Sequence, residues 1–148
     1  MIVRISRWMM FVTLGLSVMA WLPACTTASS DKLLNPIAVV EAQQLVNGKK
    51  KMLGIAGTTT GVWVDSRPDA DYRAGHIPGA VNLPYERVTL DHKSLEPYDV
   101  LIVYGADYGD TRANAMSKRL MELGHDDVRT LTGGLRAWKI QGNPVEGQ

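Results

Sequence analysis

One cysteine and one phenylalanine stand among 148 residues. With Cys25 alone, no disulfide can close within the chain, so a disulfide-stapled fold is excluded. Neither sign of charge is in excess, with 16 basic against 15 acidic residues. Residues 1–24 hold Arg4 and Arg7 and no acid, and without them the chain has 14 basic against 15 acidic residues. Such a balance argues against nucleic-acid binding, which needs a basic surface to neutralise phosphates. The three histidines, His76, His92 and His125, fall at spacings that fit no metal-ligand pattern, so no metal and no cofactor is expected. A further lack is local. The stretch VYGADYGDTRAN, residues 103–114, has the glycines and trailing arginine of a strand-to-helix turn that holds an anion or a covalent intermediate. No cysteine, serine or histidine lies in it.

The N-terminus has an exported pattern. MIVRISR is a positive segment, and WMMFVTLGLSVMAWL is an apolar run shorter than the ~20 residues needed to span a bilayer. LPACTTASS follows and carries Cys25. Leu22, Ala24 and Cys25 look like the lipobox of bacterial lipoproteins, in which the cysteine receives diacylglycerol and becomes the new N-terminus. Pro23 departs from that pattern. Residues 1–24 are thus expected to be a signal peptide, and residues 25–35 a lipidated cysteine with a polar tether. Cleavage after Ala28, giving a soluble form, is the alternative. Acyl chains on Cys25 would hold the protein at a membrane on the periplasmic face without a transmembrane helix. Thr26 is not the acidic residue linked to inner-membrane retention, which points to the outer membrane. The ten residues 26–35 reach at most ~35 Å, which keeps residues 36–148 close to the anchoring surface.

The 45%-apolar composition of the whole chain suits one globular domain. PIAVVEAQQLV, 36–46, reads as a helix capped by Asn35, with Pro36 in its first turn. KKKMLGIAGTTTG, 49–61, reads as a loop or weak hairpin. GVWVD, DVLIVYG and DVRTL read as three buried strands. Helical segments are expected at 68–74, around YERVTL, over TRANAMSKRLMELG and over GGLRAWKIQG; GHIPGAVNLP between the first two is extended. Strands alternating with helices give an α/β fold with a parallel sheet.

Residues 62–145 resemble a single rhodanese domain. VDSRPDADYRAGHIPGAVNLP carries the family's first motif, with Asp65, Arg67, Tyr72, the run from Gly75 to Ala80, Asn82 and Pro84 in place. LIVY, the helix from Arg112 to Leu123, VRTL and GGLRAW carry the second half. The resemblance implies a three-layer α/β fold, with helices on both faces of a central parallel sheet. It also implies sulfur transfer, in which a cysteine directly after a strand takes sulfane sulfur from a donor such as thiosulfate. A ring of backbone N–H groups at the following helix would depress the thiol pKa and hold the persulfide. In this chain that position is Gly105, and the loop is about two residues longer than in sulfurtransferases. Asp107 and Asp110 lie inside it, where carboxylates repel anionic donors.

The expected site is therefore the loop Gly105, Ala106, Asp107, Tyr108, Gly109, Asp110, Thr111 and Arg112, with no catalytic residue and with Cys25 as the lipidation site. Asp107 is expected to bond neighbouring backbone N–H groups. Asp110 or Thr111 is expected to cap the helix, and Arg112 to pair with Asp107 or Asp110. Arg67 is expected to pair with a nearby acid such as Asp69 or Asp71, and His76 to be structural. Tyr104, Tyr108 and Trp138 are candidates for a pocket mouth, although Trp63 and Trp138 read better as core. These readings favour an exported, inactive binding or regulatory module whose partner is an envelope protein or a small sulfur compound. The alternative is an active sulfurtransferase drawing on a partner's thiol, or a hydrolase using a loop residue. Mass spectrometry of the mature N-terminus is expected to find a diacylglyceryl mass on Cys25, and a free N-terminus at Ser29 would refute lipidation.

Overall fold

Five apolar segments pair into one sheet in the computed structural model, which describes residues 34–47 and 59–147. The expected signal peptide, Cys25, most of the tether and most of the 49–61 segment lie outside the described residues. The strands are β1 (Pro36–Ile37), β2 (Gly61–Asp65), β3 (Val81–Asn82), β4 (Val100–Tyr104) and β5 (Val128–Leu131). Their spatial order is β1-β5-β4-β2-β3, and every neighbouring pair is parallel. Parallel strands need crossovers long enough to hold helices, which cover both faces and make the most enclosed strand apolar. In β4 every residue is buried, as the uninterrupted run VLIVY requires.

Among the described residues five helices flank the sheet: α1 (Val39–Asn47), α2 (Asp69–Ala74), α3 (Val88–Asp91), α4 (Thr111–Glu122) and α5 (Gly134–Ile140). Short 3-10 turns at Tyr85–Arg87 and His92–Leu95 flank α3. Alternation along the strands divides the core into two layers. Val100, Ile102 and Tyr104 face one layer, with Trp63, residues of α1 and Leu135, Ala137 and Trp138 of α5. Leu101 and Val103 face the other, with Val62, Val64, Val88 of α3 and Ala113, Met116 and Leu120 of α4. The Trp63 and Trp138 rings meet edge to face at 5.2 Å, so both belong to the core.

The structure corrects the expected start of the first helix. Pro36 begins no helix; Pro36–Ile37 is the edge strand β1, and α1 starts at Val39. The Asn35 and Ile37 carbonyls accept hydrogen bonds from the Thr130 and Thr132 N–H groups. Pro36 between them therefore faces away from β5, where a missing N–H costs no ladder bond. Two strands escaped the sequence reading, β1 and β3, and each has only two residues. Neither is long enough to show the period-2 alternation by which strands are read. The other three strands and the later helices lie where their patterns place them, within a residue or two.

Ile102 is wholly buried at the centre of β4. Ile102→Ala is expected to lower unfolding free energy by about 2–5 kcal/mol, because the removed atoms leave a cavity between rigid strands. A urea titration followed by circular dichroism checks this, and a loss below 1 kcal/mol would contradict the described packing.

Candidate functional site

The chain leaves the carboxyl end of β4 at Gly105 and enters α4 at Thr111. The residues between form a loop at the edge where open parallel sheets bind their ligands. Its outward carbonyls are fixed by the last helix: the Leu135 and Arg136 N–H groups donate to the Gly105 and Ala106 oxygens, each at 2.9 Å. This backbone-to-backbone contact explains the glycine pair that opens α5. Gly134 has φ +54°, and a Cβ there would collide with the Gly105 carbonyl oxygen.

The inward side of the loop is filled by the Asp110 carboxylate. Ala106 N–H donates to its Oδ2 at 2.8 Å, and Arg112 N–H donates to its Oδ1 at 3.0 Å. The Arg112 guanidinium adds a forked pair of bonds, from Nε to Oδ1 at 2.9 Å and from Nη2 to Oδ2 at 3.1 Å. Burial works against the charge of Asp110. The hydrogen bonds from Arg112 and Ala106 outweigh it and hold the carboxyl below its ordinary range. The Arg112 guanidinium is shifted upward, first by its bond to Asp110, and stays charged. Asp110 is also the N-cap of α4. A Cβ added at Gly105 would lie 2.6 Å from Asp110 Oδ2 and 2.8 Å from its Cγ, inside any real contact distance. The space above Gly105 is thus occupied by the protein's own anion.

The rest of the loop faces outward. Asp107 Oδ1 accepts from Gly109 N–H at 2.8 Å, and the Asp107 carbonyl accepts from Asp110 N–H at 3.3 Å. Tyr108 is 71% exposed, and its ring lies over Gly133, which has φ +79° and opens α5. Beside the loop is a cleft of about 370 Å3, lined among others by Asp107, Tyr108, Asp110, Asn114, Thr132 and Gly133.

A buried ion pair braces the neighbouring strand end. Arg67 forks onto Asp65, with Nε donating to Oδ1 at 2.9 Å, and Nη2 also donates to the Gly75 carbonyl at 2.7 Å. The residues are 6% and 0% exposed. Burial alone would lower the Arg67 pKa; the bond and charge of Asp65 reverse this and raise it. Arg67 also lies over the Tyr104 ring, 5.8 Å from its centroid. Tyr104 is wholly buried, and burial together with the Asp65 charge pushes its hydroxyl far above the ordinary range. Ile77 N–H donates to that hydroxyl at 3.1 Å. His76 stacks on Tyr72 at 3.7 Å, with Nδ1 2.9 Å from the Tyr72 carbonyl.

Residues 42–141 match the family described as the rhodanese-like domain. The chain belongs to this family. Among curated relatives, an HTH-type transcriptional regulator of Mycobacterium tuberculosis is 28% identical over 119 residues, covering 80% of this chain and 49% of the relative. The chain therefore spans about half the length of that protein. An adenylyltransferase and sulfurtransferase of Meyerozyma guilliermondii is 29% identical over 84 residues, covering 52% of this chain and 20% of the relative. A rhodanese-related protein from Thermoplasma volcanium superposes with TM-score 0.61 at 20% identity, covering 77% of this chain and 99% of the other. A thiosulfate sulfurtransferase from Pseudomonas aeruginosa superposes with TM-score 0.62 at 23% identity, covering 78% and 20%. At these identities the two structures share the fold with this one.

Within this rhodanese-like domain, several expected roles fall into place. Asp110 caps α4, Arg112 pairs with Asp110, Asp107 bonds a neighbouring N–H, and His76 is held in a structural stack. Two expectations change, and one contact was not anticipated. Arg67 pairs with Asp65 and with neither Asp69 nor Asp71, because Asp65 ends a buried strand and offers both oxygens at two residues' distance. Tyr104 is enclosed in the core and is no part of a pocket mouth, and Trp138 is core as its favoured reading had it, which leaves Tyr108 as the aromatic at the cleft. His92 and His125, 33 residues apart in sequence, meet with Nδ1 and Nε2 3.3 Å apart. Burial and then the His92 charge hold the His125 imidazole below its ordinary pKa. Asn114 and Thr132 at the cleft wall were missed, since neither has a sequence feature that separates it from an ordinary surface residue.

The lowered pKa of Asp110 gives its charge a stability that is complete above the unfolded carboxylate value, ~4, and is lost as pH falls through the folded value. Asp110→Ser retains a capping oxygen and removes the charge. It is expected to cost about 1–3 kcal/mol at pH 7, and to flatten the loss of stability below pH ~4. Denaturant titrations at pH 7 and pH 3 test this; equal losses on acidification in both proteins would contradict it.

Proposed function

We propose that this rhodanese-like domain is an exported, lipid-tethered binding or regulatory module that does not itself transfer sulfur. The observation that carries the reading is the Asp110 carboxylate seated over Gly105. The resemblance to sulfurtransferases puts their cysteine at Gly105, where this chain offers no side chain. Sulfur transfer by a thiolate needs both the sulfur atom and an open set of N–H donors for the anionic donor and the persulfide. Here the Ala106 and Arg112 donors are engaged by an internal carboxylate, whose charge also repels thiosulfate. The sequence alone supplies the location: residues 1–25 have the pattern of a lipoprotein leader.

The contact surface of such a module is the outward side of the same loop. Tyr108 offers an exposed ring held over Gly133, the exposed Asp107 offers charge in the same cleft, and Arg112, paired with Asp110, closes the loop. Aromatic side chains of this kind anchor protein contacts. A protein of the cell envelope is the favoured partner. One relative is named a transcriptional regulator and another a sulfurtransferase, so regulatory and enzymatic names both occur among proteins similar to this one.

The wild-type domain is expected to show no thiosulfate-to-cyanide sulfur transfer above buffer, and clear turnover would refute the proposal. Gly105→Cys alone is expected to stay inert because the new Cβ collides with Asp110. Gly105→Cys combined with Asp110→Ser frees the donors and is expected to accept sulfur, read as a persulfide mass shift after thiosulfate treatment.

A further inference from the structure

A second constellation lies at the opposite edge of the sheet. His92 belongs to the 3-10 turn before β4, and His125 follows α4 just before β5. Both therefore sit at the amino ends of strands, away from the loop at Gly105. Their rings meet edge to face with centroids 5.5 Å apart, and His92 Nδ1 lies 3.3 Å from His125 Nε2. They line a cleft of about 320 Å3 whose other charged residues are Glu96, Asp99 and Asp126; no lysine or arginine lines it. Asp99 is already engaged by Thr60, whose N–H and Oγ1 both donate to its Oδ2. Glu96 and Asp126 both act on His125 through their charge.

We propose that His92 and His125 form a two-histidine site for a zinc-class divalent cation in this cleft. Two nitrogens bound to one tetrahedral zinc at 2.0–2.1 Å are separated by about 3.3–3.4 Å. The hydrogen-bonded separation of 3.3 Å equals that edge, so the two nitrogens need no change of spacing to share one ion. Imidazole nitrogens select zinc, copper and nickel, whereas calcium and magnesium demand oxygen cages. The remaining positions are open to water, with Glu96 and Asp126 supplying negative charge at the rim. Among the described residues no group of three or more ligand-type side chains converges, so the site is an exchangeable one rather than a structural centre. Binding replaces the hydrogen bond between the rings. The donor nitrogen gives up its hydrogen, and the same ring takes one at its other nitrogen from solvent, so the ring charge is unchanged. The metal then accepts a lone pair from each ring.

The test uses the full chain without an affinity tag, titrated with Zn2+ by calorimetry, with circular dichroism to verify folding. One equivalent is expected to bind. His92→Gln and His125→Gln are each expected to weaken binding at least about tenfold, as loss of a direct ligand costs no less than loss of an outer-shell partner. His76→Gln is expected to leave it unchanged. In a parallel readout, paramagnetic Cu2+ should broaden the NMR signals of His92 and His125 before those of His76. Absence of saturable binding would overturn the proposal. So would binding that survives both glutamine substitutions, or that disappears with Cys25→Ser.

Discussion

Backbone donors that converge at the carboxyl edge of a parallel sheet must find an acceptor. The chain's answer to that demand shapes everything around it. Here the acceptor is internal: Asp110 takes the N–H groups of Ala106 and Arg112 and the guanidinium fork of Arg112 in a single carboxylate. The negative charge that these donors face is thus supplied by the chain's own side chain. The same residue caps α4, so loop closure and helix initiation are one event. A side chain at Gly105 would have to displace that carboxylate.

A similar local solution recurs along the chain. Asp65-Ser-Arg67, Asp110-Thr-Arg112 and Asp127-Val-Arg129 each fold the arginine back onto the aspartate two residues before it. Their contributions differ with burial. The first is enclosed and tied to the Gly75 carbonyl, so removing one partner would strand a buried charge. The third is open to solvent and contributes little. The second lies between them in exposure and closes the loop that follows β4.

Much of the fold was legible because its central strands are unbroken apolar runs and α4 repeats its apolar residues at helical spacing. VLIVY admits few readings, and Ala113, Met116 and Leu120 all enter the core. The two-residue strands were not legible, since two residues carry no period. Pro36 was misread because proline suits a first helical turn as well as a sheet edge, and only the Thr130 and Thr132 ladder distinguishes them. The pairing of Arg112 with Asp110 was within reach of sequence spacing. Where the carboxylate sits was not, because that depends on how the loop curls back above Gly105. The meeting of His92 and His125 depends on two loops brought together by the β4–β5 pairing, which no local spacing reveals.

The outward-facing Pro36 has a consequence for recognition. A strand from another protein adds to a sheet by exchanging main-chain hydrogen bonds along an open margin, and β1 has only two residues, one of which has no N–H to give. Annexation of this margin by a foreign strand, or by a second copy, is therefore disfavoured at that point.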